Sequence, residues 1–377
     1  MEKFEGYVFT ALCSTNFLIS CLLFSRVTRE QREPYMDEVF HIPQAQKYCQ
    51  GKFNEWDPMI TTLPGLYLVS VGVIKPVVWL ADLTGAVVCS TAMLRFINLL
   101  FNCGNLYLLY LLICKLHLRE KTRTTSRRVL SALSLSTFPV LYFFNFLYYT
   151  DAGSTFFILF TYLMTLYGCH KASAFLGACS VLFRQTNIIW VAFCAGTLVA
   201  AKMDETWRVE HMKKRDEKSP PSQVPLSFSG AKKVILFTLE FVTSPSHVKA
   251  VLLVAWPYAV VGVGFLVFVV LNDGIVAGYL LADNRHFPFY VWKRLFQRHE
   301  MVRFLLVPAY VFAGWNFLDS FKSRSLFWSL AFLACLLAAT VPQKLLEFRR
   351  SMLPQLYIFI SKTFHWPDST AAQRFMW

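Results

Sequence analysis

Charge is scarce in this chain. Asp, Glu, Lys and Arg make up 16% of its 377 residues, where a soluble domain carries about a quarter. That shortage excludes an ordinary water-soluble fold. Strictly alternating apolar and polar runs are missing as well, which excludes a membrane β-barrel. The ten cysteines form no CxxC pair and no Cys/His ladder at metal-ligand spacing, so neither a zinc module nor any other metal site is expected. They are scattered, mostly inside apolar stretches as at Cys13, Cys103, Cys179 and Cys335, and the expectation for them is buried structural thiols. No basic face is interleaved with aromatics, so the net charge of +14 is no nucleic-acid signature. No convincing internal repeat is present, as a transporter built from paired halves would show.

Apolar residues are abundant. They make up 55% of the chain, and the mean hydropathy is +0.44. Runs of membrane-spanning length recur along most of the sequence. The fold class is therefore all-α, a polytopic helical membrane protein forming one domain over 1–377. The spacing predicts membrane helices at about 7–25, 61–80, 93–114, 129–148, 152–169, 172–201, 246–271, 303–318 and 325–341. The stretch 274–282 is too short to span. The first helix lacks a clearly basic start and a small-x-small cleavage site, so it reads as a retained signal anchor. Lysine and arginine fall mainly between the apolar runs, where they face lipid phosphate.

Two loops stand out. One covers about 26–60. The other, about 202–245, mixes charge with Ser and Pro ("KMDETWRVEHMKKRDEKSPPSQVP") and reads as a flexible cytosolic linker. An even count of crossings back from it puts the 26–60 loop on the lumenal side. The basic stretch "KLHLREKTRTTSRR" (115–128) disagrees, since the same count makes it lumenal. Either the charge rule fails there or one earlier segment does not span.

The first loop holds "EPYMDEVFH" (33–41). Pro34 suits a first helical turn. On a 100° wheel Tyr35, Met36, Val39, Phe40 and Ile42 share one arc, and Asp37, Glu38 and His41 the other. Pro43 ends that turn or starts a second short helix through Tyr48. The pattern predicts an amphipathic helix lying in the interface with its apolar face in lipid or against the bundle. His41 lies within reach of both acids. Two readings fit: a carboxylate acting as general base on a lumenal hydroxyl, or acids that complement a helix dipole. Asp57 before Pro58 reads as a turn residue, and Asp151 as a cap or a substrate contact.

Further on, "FRQTNIIW" (183–190) interrupts an apolar segment with Arg184, Gln185 and Asn187. An arginine at membrane depth is costly and marks a candidate site, since its fork suits a phosphate. The alternatives are snorkelling to the headgroups or satisfying a neighbouring helix. The stretch "LLADNRHFPFYVWKRLFQR" (280–298) gathers Arg285, His286, Lys293 and Arg294 among aromatics. It suits an interfacial anchor or a pocket for a lipid-linked phosphate.

The stretches "YMDEVFHIPQAQKYC", "FNEWDPMITTLPGLY", "FRQTNIIW", "YLLADNRHFPFYVWKR", "VPAYVFAGW" and "VPQKLLEFR" together resemble the dolichyl-phosphate-glucose-dependent α-1,2-glucosyltransferases of the endoplasmic reticulum, of the GT-C class. The resemblance implies a multi-pass reticulum enzyme that works without a cofactor. It would take glucose from dolichyl phosphate glucose and add the terminal glucose to the dolichyl-diphosphate-linked oligosaccharide. It also implies inversion, β-linked donor to α-linked product, with Asp37 as base and Glu38 its neighbour. The residues themselves, by charge and position rather than by the resemblance, offer His41, Arg184, Gln185, Asn187, Arg285, His286, Lys293 and Arg294 as substrate contacts. Two stretches are shorter than in that family, after "GIV" (274–276) and after "LLEFR" (345–349). A catalytically inactive membrane partner, such as an ion-channel modulator, is the alternative reading.

Overall fold

The computed structural model describes residues 3–80, 89–116, 125–213, 228–271, 307–319 and 324–340, with 301, 304 and 321. Among the described residues every regular element is a helix, as the composition predicts. The helices are α1 (Lys3–Glu30), α2 (Glu38–Cys49), α3 (Gly65–Leu80), α4 (Thr91–Leu116), α5 (Thr125–Ser136), α6 (Pro139–Phe144), α7 (Thr150–Leu166), α8 (His170–Phe183), α9 (Ile188–Lys213), α10 (Phe228–Thr243), α11 (Pro245–Leu271), α12 (Val307–Asp319) and α13 (Leu326–Thr340). Four stretches are long and apolar enough to cross a bilayer alone: Glu5–Glu30, Thr91–Leu116, Gln185–Glu210 and Pro245–Leu271.

Local chemistry sets where the helices stop. The span expected over 129–148 is broken, because Pro139 cannot extend α5 and holds Phe138 extended at φ −53°, ψ 124°. The 172–201 span divides at Arg184, whose extended backbone (φ −146°) separates α8 from the 3-10 turn Gln185–Asn187. α7 ends on Gly168 at φ 78°, where Gly168 and Cys169 donate back to the carbonyls of Thr165 and Met164.

The 202–245 segment is helical at both ends. α9 continues to Lys213, with Lys202 paired to Glu205 at 2.8 Å, and Trp207 packs edge-on against Phe237 of α10. Its Ser/Pro-rich centre, 214–227, lies outside the described residues.

Contacts between helices define two ends. At one, α1 finishes, α4 begins and α7 begins: Arg95 of α4 donates to the Gln31 carbonyl at 2.6 Å, and Asn98 donates to the carbonyls of Leu147 and Tyr149. At the other lie Glu5 of α1, which accepts from Tyr110 of α4 at 2.9 Å and pairs with Arg128 of α5 at 3.4 Å, and Lys115, over the Tyr167 ring at 4.3 Å. A buried polar row on α4 (Asn98, Asn102 and Asn105) faces the α7 side, where Asn105 donates to Ala152.

The segment expected as a second span, 61–80, forms α3 of 16 residues, shorter than the four stretches above. α3 starts against the first end, where a Cβ on Gly65 would meet the Leu182 backbone of α8 at 2.8 Å. Nine residues past its last residue, Cys89 is disulfide-bonded to Cys49 of α2, with Cα atoms 6.5 Å apart. The chain is therefore back at the end it left. Lys115 and Arg128, the outermost residues of the basic stretch, lie at the opposite end.

Candidate active site

The turn 31–37 and helix α2 form the candidate site, and of the two orientations the sequence allows α2 turns its polar arc to the protein and leaves most of its apolar arc exposed. Glu38, His41, Ile42, Gln44, Ala45 and Tyr48 are buried, while Tyr35, Met36, Val39 and Phe40 are exposed. The polar arc faces the protein because its partners are there. Only Ile42 of the apolar arc turns inward, with Ala45 and Tyr48, into a cluster that includes Leu66 and Tyr67 of α3. The helix starts at Glu38 with Asp37 as its N-cap residue, so Pro34 lies before it rather than in its first turn. Pro43 is accommodated inside the helix instead of ending it. Gly51, at φ 84°, closes the far end.

Glu38 is fully buried, and both carboxylate oxygens are occupied. Arg95 makes a two-pronged contact, Nε to Oε1 at 2.8 Å and Nη2 to Oε2 at 2.6 Å. The amide N–H groups of Tyr148 and Tyr35 donate to the same two oxygens at 2.6 and 2.9 Å. The remaining Arg95 donors reach the carbonyls of Gln31 and Glu33. A charge pair this deep is tolerated only when its lone pairs and protons are satisfied in this way.

Asp37, one residue earlier, is only half buried. Its carboxylate makes no capping hydrogen bond to α2, contrary to what a simple cap would do. Its N–H donates to the Tyr149 hydroxyl at 2.9 Å, and its carbonyl accepts from Phe40 and His41. Met36 before it sits at φ 54°, a left-handed conformation that non-glycine residues adopt at a cost.

His41 turns inward, its Nδ1 2.6 Å from the Tyr67 hydroxyl. Gln44 pins the following loop, donating to the Glu55 carbonyl and accepting from the Asp57 amide. Asp57 accepts from Met59 N–H at 2.9 Å and is the turn residue its sequence context predicts. Burial pushes the Tyr48 phenol above its ordinary pKa, so it stays protonated.

Arg184 lies at the same end, through Tyr149, Thr150 and Asp151. Its Nη2 is 2.9 Å from buried Asp151 and its Nε donates to Thr150 at 3.2 Å. Asp151 is thus an ion-pair partner in the first turn of α7. Gln185 donates to the Thr61 carbonyl at 3.3 Å, and buried Asn187 donates to Ser154 and the Ser180 carbonyl. The chain therefore gathers Asp37, Glu38, His41, Arg184, Gln185 and Asn187 at one end. Arg285, His286, Lys293 and Arg294 lie outside the described residues. No group of three or more His, Cys, Asp or Glu side chains suited to a metal occurs among the described residues.

Two features were missed by sequence reasoning. Arg95 sits in an apolar run just as Arg184 does, and the rule for intramembrane charge applies equally to it. The Cys49–Cys89 bond joins thiols 40 residues apart, and no spacing rule pairs such cysteines.

Similar proteins share this sequence from end to end. A protein from Rattus norvegicus named Dol-P-Glc:Glc(2)Man(9)GlcNAc(2)-PP-Dol alpha-1,2-glucosyltransferase is 47% identical over 476 aligned positions, covering 100% of both chains. A Homo sapiens protein of the same name matches equally, and one from Arabidopsis thaliana is 28% identical over 87% of this chain and 85% of its own. Since 476 aligned positions accommodate 377 residues, the mammalian relatives carry internal segments that this chain lacks. No solved structure matches. The family profile matches in two stretches, residues 31–278 and 278–360, which meet where the sequence drops residues after "GIV". The chain belongs to the DIE2/ALG10 family.

Proposed function

We propose that this protein transfers glucose from dolichyl phosphate glucose to the terminal glucose of the dolichyl-diphosphate-linked oligosaccharide, forming an α-1,2 linkage with inversion. The full-length similarity to proteins named for that reaction supports it. Asp37 is the base. It takes the proton from the acceptor 2-hydroxyl as that oxygen attacks the glucose C1 and dolichyl phosphate departs. The observation that carries this assignment is the full occupation of Glu38. A carboxylate buried with Arg95 and two amides has no oxygen to offer a substrate, while Asp37 beside it is half exposed and unused as a cap.

Arg184 stands ready for the departing phosphate. Among the described residues its Nη1 has no partner, and Asp151 fixes the guanidinium plane through Nη2. Gln185 and Asn187 hold the break that presents it. Arg285, His286, Lys293 and Arg294 are the remaining candidates for the phosphate, on charge alone. His41, tied to Tyr67, lines the acid's side of the site.

The site end faces the lumen of the endoplasmic reticulum. The disulfide lies there, and such bonds persist in oxidising compartments. Lys115 and Arg128 lie at the other end, where the positive-inside rule wants basic residues.

Cells lacking the terminal glucosyltransferase test the proposal, with the third glucose on the lipid-linked oligosaccharide as readout. Wild type and Glu38→Gln are compared with Asp37→Asn. Restoration by wild type but not by Asp37→Asn is expected. Equal restoration by Asp37→Asn refutes the base, and failure of wild type refutes the activity of this chain.

A further inference from the structure

We infer that Glu38 and Arg95 are a positioning pair whose task is to hold the turn 33–38 in the one conformation that presents Asp37 to substrate. This rests on the assignment of Asp37 as base and goes beyond it by giving Arg95, a residue of α4 with no reacting group near it, control over the reaction rate.

Three features converge on this role. Every donor group of Arg95 is directed at the turn or at the acid that ends it: Nη1 to Gln31, Nη2 to Glu33 and Glu38, and Nε to Glu38. The pair is fully buried, so solvent takes no part in setting its geometry. The turn it holds contains Met36 in a left-handed conformation, which the surroundings must impose. Tyr149 completes the frame by accepting the Asp37 N–H at 2.9 Å. Glu38 in turn accepts from the Tyr148 amide, which ties the turn to the segment entering α7. Asp151, the ion-pair partner of Arg184, follows three residues after Tyr148. One buried carboxylate therefore sets the acid against the phosphate-side arginine.

A salt bridge that merely stabilises the fold makes a different prediction from one that positions the acid. The test uses the full chain in proteoliposomes, with kcat expressed per folded molecule and KM measured for donor and acceptor. Arg95→Met alone leaves a buried carboxylate without its cation, so poor folding is expected of it. The double variant Glu38→Gln with Arg95→Met removes both charges and recovers folded yield. Positioning predicts that its kcat stays about a hundredfold below wild type, the scale at which an ångström of misplacement registers, with both KM values within about threefold. Arg95→Lys, which keeps the charge but loses the fork, should fall between the two. Tyr149→Phe keeps the ring and removes the hydroxyl that accepts from the Asp37 amide and donates to the Tyr35 carbonyl of the same turn, and should lower kcat about tenfold at unchanged KM.

Wild-type kcat in the folded double variant overturns the inference, as does wild-type kcat in Tyr149→Phe if the double variant does not fold. Asp37→Asn, measured alongside, separates the two ideas. Full activity there refutes the base itself, whereas loss of activity there with wild-type kcat in the double variant refutes only the positioning pair.

Discussion

Breaking the Cys49–Cys89 bond gives the sharpest measure of how the layer around α2 is held. The bond closes a stretch of 40 residues that contains the whole loop 50–60 and all of α3. Closing a loop of that length in the unfolded chain corresponds to about 4 kcal/mol of entropy. Because residual structure in the unfolded state lowers that figure, about 2–4 kcal/mol is the expected range for Cys49→Ser with Cys89→Ser. The loss should appear as earlier thermal unfolding in detergent, and it should be local to α2 and the start of α4. A thiol count checks the premise. Of ten cysteines, eight are free. Protein denatured without reductant should take up eight equivalents of maleimide, and ten after reduction. Ten equivalents without reductant, or a double variant as stable as wild type to within about 1 kcal/mol, refutes the reasoning.

Other outcomes follow from the same contacts. Gly65→Ala places a methyl 2.8 Å from the rigid Leu182 backbone, so α3 must shift at a cost of about 1–3 kcal/mol, and activity should fall with it because Tyr67 moves away from His41. Asn98→Ala orphans the carbonyls of Leu147 and Tyr149, each worth about 1–3 kcal/mol when buried, and should lower folded yield more than the same change at exposed Asn54. An N-glycosylation acceptor inserted after Glu55 should be modified, and one inserted after Leu116 should not. Modification at both positions would mean that α3 crosses the membrane after all.

Much of this was legible in the sequence. Hydropathy identified the class and most of the helices, and Arg184 to Asn187 announced the break between α8 and α9. The wheel separated Asp37, Glu38 and His41 from the apolar residues correctly, yet which face turns inward depends on where the partners are. Arg95, 57 residues on, decides it. Hydropathy also rated 61–80 as a span, because it weighs apolar content and is blind to the end at which the next helix begins. The disulfide that returns the chain to its starting side is a contact between distant residues. Pro139 is a different case: its effect on the preceding residue is local, and the break it makes in 129–148 was there to be read. Of the candidate site, the residue types and their clustering were visible. The division of labour between the two adjacent acids was not, because it is set by burial.

The fully buried Arg95 also bears on the order of assembly. An arginine one turn inside α4 is a burden while that helix enters the bilayer, costing about 2.5–3.5 kcal/mol at the centre of a span and less near its mouth. Its partner, Glu38, belongs to a segment synthesised earlier and already delivered to the far side. The loop thus waits beside the emerging helix and takes up the guanidinium as it arrives. The Cys49–Cys89 bond can close at that moment, since Cys89 precedes Arg95 by only six residues. The first 116 residues then carry what is needed to complete this corner of the molecule before the remaining helices are made.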